Sequence, residues 1–180
     1  MLCRSAVRPV LAAVLAALLA CSGAPGAVQA QAPGAGGLTL VDQTAGVSYA
    51  VASDGATRAV LGAGRRAYVL DVAADGTTTV VGRTPILPAA VRALLLDGTR
   101  LFVAPEGRGI HIFSIADPAA PTEVGVIPVT HEVREMVLHD GRLVTAEFGE
   151  GVAIYDVTGD DVPAAPLAVE HTRRAVTYLA

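Results

Sequence analysis

Lysine and tryptophan are absent from the 180 residues, and the aromatic complement is four tyrosines and three phenylalanines. Cysteine occurs twice, at Cys3 and Cys21, both close to the N-terminus. That placement excludes a disulfide framework and any Cys-x-x-Cys metal site. Charge is sparse at 17%, and 13 arginines against 17 acids leave a net charge of −4. A nucleic-acid binder would carry a basic patch or stripe, so nucleic acid is not expected as a partner. No apolar run reaches the ~20 residues of a membrane-spanning helix. No G-x-S-x-G, H-E-x-x-H, Walker A or G-x-G-x-x-G element occurs, so no catalytic residue, cofactor or metal site is expected from motifs. An active site assembled from scattered loops would leave no such motif. What is present is apolar. Hydrophobic letters make up 52%, which excludes disorder for most of the chain, and the length suits one domain or one and a half.

The first 21 residues read as an export signal. Arg4 and Arg8 precede the run PVLAAVLAALLA, with no acid among them. Twelve apolar residues are too few to span a membrane and match the core of a signal peptide. Two processing sites compete. Leu18-Leu19-Ala20-Cys21 resembles a bacterial lipobox, in which Cys21 becomes the lipidated first residue; membrane contact would then come only through that lipid. Val28-Gln29-Ala30 fits the small-x-small rule of ordinary cleavage after Ala30. Residues 22–37, rich in Ala, Gly, Pro and Gln, read as a flexible linker, and the folded part is expected over 38–180.

That part repeats itself. Residues 54–82 align without a gap on 97–125, LFVAPEGRGIHIFSI aligns on LVTAEFGEGVAIYDV, VRALLL matches VREMVL, and HEVREM is echoed by HTRRAV. The shifts are 43, 42, 42 and 40 residues. Each copy reads strand, Asp-Gly turn, strand, Gly-containing loop, β-branched strand, Pro/Asp turn, strand. Asp-Gly between β-rich runs signals a hairpin, because a primed turn needs positive φ, and Pro118 and Pro121 forbid helix. Four short strands per ~42 residues is the unit of a β-propeller blade. The expected fold is therefore all-β, a propeller of about three blades plus a partial fourth.

The segments GIHIFSIADPAAPTEVG and GVAIYDVTGDDVPAAP resemble the LVIVD repeat, a family of exported or surface β-propellers in bacteria and archaea. The resemblance covers 47–180. It implies architecture and surface location; the family carries no defined activity. Two departures stand out: Asp75-Gly76-Thr77 replaces Asp-Pro in the first copy, and the third copy inserts residues 159–161. WD40 repeats fit less well without a Trp-Asp pair.

The candidate site lies on the first strands, which line the channel of a propeller. Arg92, Arg134 and Arg174 occupy matching positions there, and His131 and His171 precede the first strands of their copies. One reading is a cationic ring at the channel mouth, since the arginine fork suits carboxylate and phosphate. The other is a set of inter-blade ion pairs, with Glu132 or Glu135 as partners. His111 alternates with isoleucines and reads as a face or rim residue. Asp117, Asp160 and Asp161 read as turn formers rather than Ca²⁺ ligands, and Asp71 and Asp156 as residues that stitch a blade.

Together these features lead to the expectation of an exported, non-enzymatic binding or scaffold module at the cell envelope, with a protein or carbohydrate partner. The alternative is an exported enzyme or small-ligand sensor using the channel mouth. Propellers close with 4 to 8 blades, so three blades and two loose strands lead to the expectation of a partial domain, or of a ring completed by other chains.

Overall fold

The computed structural model describes residues 48–172. The expected export segment with Cys21, the expected linker, the expected partial fourth blade and Arg174 lie outside the described residues. Among the described residues there are twelve strands and no helix, hence none long and apolar enough to cross a membrane.

The strands form three four-stranded antiparallel sheets, each a meander in chain order. The first holds β1 (Ser48–Ser53), β2 (Arg58–Ala63), β3 (Arg66–Val72) and β4 (Thr78–Arg83). The second holds β5 (Val91–Asp97), β6 (Arg100–Pro105), β7 (Ile110–Ser114) and β8 (Thr122–Ile127). The third holds β9 (Glu132–His139), β10 (Arg142–Phe148), β11 (Gly151–Asp156) and β12 (Ala168–His171). The sheets pack in series through their first strands, β5 lying against both β1 and β9. Among the described residues they form an open series that does not close into a ring.

The Asp-Gly turns do open each sheet, but the same two letters act differently in each. Asp140 (φ 47°) and Gly141 (φ 69°) both take the left-handed conformation that a two-residue primed turn requires. In the second sheet Asp97 remains in its strand opposite Arg100, and Gly98 (φ 56°) makes the turn. In the first sheet the loop is longer, and Asp54 caps it by accepting from the Ala56 and Arg58 amides at 2.8 and 3.0 Å.

That extra loop residue corrects the gapless alignment. Arg58, Arg100 and Arg142 open the second strands and stand opposite Asp71, Ser114 and Asp156. The shift is 43 residues over β3 and 42 over β2, because the β1–β2 loop is one residue longer and the β2–β3 loop one shorter than in the other copies. Val60 therefore matches Phe102, not Val103.

The core lies in two layers. Between the first and second sheets are Val60, Val69, Leu94, Leu101, Val103, Phe113 and Ile115. Between the second and third are Phe102, Ile110, Ile112, Ile127, Met136, Leu143 and Tyr155. Successive residues of β6 thus face opposite layers, Leu101 and Val103 one way, Phe102 and Ala104 the other. Burial on both faces explains why LFVA in β6 reads as an unbroken apolar run rather than an alternating one. Each such large side chain contributes about 1.5–3 kcal/mol by leaving water.

Candidate functional site along the first strands

β1, β5 and β9 line a cavity of about 480 Å³. Its walls are Leu94, Leu96 and Met136, with Tyr49, Arg92 and Arg134 supplying polar groups. Arg92 and Arg134 come to this one cavity as equivalent members of adjacent first strands. The matching position in the first sheet holds Tyr49, whose ring lies 4.3 Å beneath the Arg92 guanidinium.

Neither arginine is free. Arg92 Nη2 donates to Glu106 Oε2 at 2.9 Å, and its Nε lies 3.4 Å from Glu132 Oε1. Arg134 Nη2 lies 2.9 Å from the other Glu132 oxygen, and its guanidinium sits 4.9 Å from the Phe148 ring centre. Hydrogen bonding to Glu106 and its charge hold Arg92 even above the usual arginine range. Glu132 therefore ties the second sheet to the third through an arginine on each. Arg92 and Glu132 form an ion pair between blades, while Arg134 pairs with Glu132 within its own strand.

His131 and His171 also come together, though not as equivalents. His131 directly precedes β9, whereas His171 is the last residue of β12. Ile127 pairs with Ile110 and Glu170 with Val152, so His171 stands at the end of a fourth strand rather than before a first one. The two rings meet at Glu150, His171 Nδ1 at 3.0 Å and His131 Nε2 at 3.6 Å. His131 Nδ1 is 3.8 Å from Glu147. Glu147 is buried and accepts hydroxyl hydrogen bonds from Thr145 and Tyr155, both at 3.0 Å. Burial first, then the Glu147 charge, pushes the Tyr155 hydroxyl far above its ordinary range, so it is a donor at all physiological pH. Glu106, Glu147 and Glu150 are partners that sequence reading did not single out. Their signal was available: they sit in or beside the Gly-containing loops PEGRG and EFGEG, at the mouth where the first strands begin.

His111 is buried rather than on a rim. Its Nδ1 lies 2.7 Å from Glu123 on the neighbouring strand, and its ring stacks on Phe113 at 6.4 Å. Asp117 forms its turn by accepting from the Ala119 amide at 3.0 Å. Asp71 and Asp156 stitch their sheets as expected, pairing with Arg58 at 3.0 Å and with Arg142. Among the described residues no group of His, Cys, Asp and Glu could hold a metal ion.

Chemically, the cavity presents two arginines already neutralised by glutamates. An incoming carboxylate or phosphate must displace Glu106 or Glu132 before it can use the guanidinium fork.

No protein-family model and no curated protein sequence matches the chain. Solved structures do. The computationally designed Ika4 protein is similar with a TM-score of 0.60 and 13% identity, over 77% of this chain and 81% of Ika4. The computationally designed Ika8 protein gives 0.58 and 14%, over 72% of this chain and 38% of Ika8. The Myceliophteria thermophila Cps50 (Swd1) beta-propeller domain gives 0.59 and 13%, over 74% of this chain and 44% of that one. The chain thus spans less than half the length of the latter two. At these identities the likeness is one of fold, and the fold is that of β-propeller blades.

Proposed function

We propose that this chain is an exported propeller protein of the LVIVD-repeat type, acting as a non-enzymatic binding or scaffold module at the cell envelope. Its partner is a protein or a carbohydrate. The observation that carries the reading is the pairing of Arg92, Glu106, Glu132 and Arg134 along the first strands. Charges that face a catalytic cavity are most useful when unspent; here they knit neighbouring sheets, which suits a rigid display platform. The arginine-led apolar run before Cys21 supports export, and the repeat pattern supports the family.

Two experiments test it. Fractionation of cells expressing the full chain should find it in the envelope or exported fraction, and Cys21→Ser should release it from the membrane if Cys21 is lipidated. Soluble protein with and without the substitution would favour cleavage after Ala30; cytoplasmic protein would overturn the export reading. A thermal-shift screen of the full chain against sugars, anions and metals addresses the second reading, a ligand sensor or enzyme at the channel mouth. That reading is favoured by the 480 Å³ cavity with Arg92 and Arg134 on its wall. An anion-specific shift abolished by Arg134→Ala would support it and count against the scaffold.

A further inference from the structure

The first and third sheets each carry an apolar face on which no other described sheet packs. An antiparallel sheet with one face in water alternates apolar and polar residues, and these two do not. In the third sheet Val137, Val144, Ile154 and Ala168 form one cross-strand row. It lies opposite the face of Met136, Leu143 and Tyr155, which pack toward the second sheet. In the first sheet Val51, Leu61 and Tyr68 form a row, opposite Val60 and Val69, which also pack toward the second sheet. Val51 is 69% exposed and Val137 40%.

The repeat shows what such rows pack against. The row from Val137 to Ala168 matches, strand for strand, the row Leu95, Phe102, Ile112 and Gly125 of the second sheet. That row is the one the second sheet turns toward the third. Val51, Leu61 and Tyr68 match Leu94, Val103 and His111, and Leu94 and Val103 turn toward the first sheet. Leu94, the counterpart of Val51, is only 8% exposed. The free face of the third sheet therefore repeats the face that receives a following sheet, and the free face of the first repeats the face that docks on a preceding one. Side-chain sizes agree with such a contact, because close packing needs bulk on one side to meet a lack of it on the other. Between the second and third sheets, bulky Phe102 goes with small Thr145 and Ala153 on the incoming row. On the free faces Val144 replaces the phenylalanine, and the incoming row is enlarged to Leu61 and Tyr68.

We propose that two copies of this chain pack head to tail, the third sheet of each on the first sheet of the other, and close a ring of six blades. Three sheets per copy make six in all, within the range of 4 to 8 in which propellers close. A head-to-tail contact ends only when it closes on itself, and closure leaves neither apolar face in water. The inference needs the propeller fold but neither the envelope location nor the scaffold role, so it stands or falls apart from them.

The test is the solution mass of the full chain by light scattering at micromolar concentration, expected to be twice the chain mass. Val51→Arg and Val137→Arg put a charge into one free face each, at exposed positions, so both variants are expected to fold; circular dichroism reports whether they do. Each alone should be monomeric, because every junction needs both faces. Mixed, they should regain a dimer, the intact third sheet of the Val51→Arg chain meeting the intact first sheet of the Val137→Arg chain. Held by one junction instead of two, that dimer should dissociate at a concentration about 100-fold or more above the parent's. A monomeric parent would overturn the proposal without any variant and assign the two faces to another segment. A dimer that survives one substitution and not the other would overturn it in favour of a like-on-like contact. Masses that keep growing with concentration would replace the closed ring by an open polymer.

Discussion

The junction of the first and second sheets and that of the second and third are built from the same parts with different tolerances. In both, a glycine in the last strand of one sheet receives the connector of the next. At Gly82 the neighbour is backbone: an added Cβ would overlap the Pro118 carbonyl oxygen. At Gly125 the neighbour is a side chain, Val162, whose Cγ2 would lie 2.5 Å from that Cβ. The Asp-Pro connector of the middle copy therefore docks as a rigid edge. The longer connector of the third copy docks through one valine and leaves a cavity of about 260 Å³ beside it. The arginines differ in the same way. Arg58 stays within its sheet on Asp71. Arg100 finds Ser114 where that aspartate would be, turns to Asp97, and reaches across to Val157 of the next sheet. Where the repeat lacks that carboxylate, Arg100 keeps an intrasheet pair with Asp97 and adds an intersheet bond.

The bluntest way to break this comparison is to empty each layer. Phe113→Ala opens the first junction and Phe102→Ala the second, both at fully buried positions, and each should cost about 3–5 kcal/mol in denaturant unfolding. A clearly smaller loss for Phe102→Ala would show that the second layer relaxes around the neighbouring cavity. Next in size are the glycines. Gly82→Ala should cost about 1–3 kcal/mol because backbone has to move, whereas Gly125→Ala should cost less and be partly rescued by Val162→Ala. Equal costs with no rescue would mean that the two connectors are equally rigid. Arg100→Ala should cost about 1 kcal/mol, a half-exposed charged hydrogen bond being worth little more. Ser114→Asp, which restores the repeat residue, should stay within about 0.5 kcal/mol of the parent while drawing Arg100 off Val157, visible as a change in the Val157 carbonyl and Gly159 amide NMR signals.

The smallest effect is a pH dependence. Asp156 is held near a pKa of about 2 by the Thr158 hydroxyl and amide, with Arg142 adding to them. Its folded value lies below the ~3.9 of an unstructured aspartate. Its contribution is therefore complete above that value and fades as pH falls toward 2. Asp156→Asn should flatten the acid limb of the stability profile over that window and leave it unchanged at neutral pH apart from a constant offset. An acid limb of the same slope in both proteins would rule Asp156 out as its source.

The architecture is legible in the sequence because each sheet is local: Asp-Gly turns, β-branched runs and Pro/Asp connectors all act within ~42 residues. Burial of β6 on both faces is legible too, in the loss of alternation along LFVA. The register of β2 is not, since two compensating one-residue changes in loop length leave a gapless alignment that looks sound. The place of His171 is not legible either: shared letters report similar side chains, while the backbone sets it at the end of β12 opposite Gly151. The arginines of the candidate site are legible as equivalent positions. Glu132 is legible too, as an expected inter-blade partner, but Glu106 is not, because it reaches Arg92 from the loop that follows the neighbouring strand.

The meander order has a kinetic consequence. Within each sheet every strand pairs with its predecessor in the chain, through connections that are mostly short, so the entropy lost on closing each hairpin is small. Sequence-local pairing of this kind shortens the search for native contacts compared with Greek-key β folds. Each sheet can then form as its own cooperative unit before the layers between sheets consolidate. The strands that gain most from that later step are β6 and β7, covered on both sides. Native-state hydrogen exchange should therefore be slowest at their amides and fastest along β12, whose four residues are all exposed.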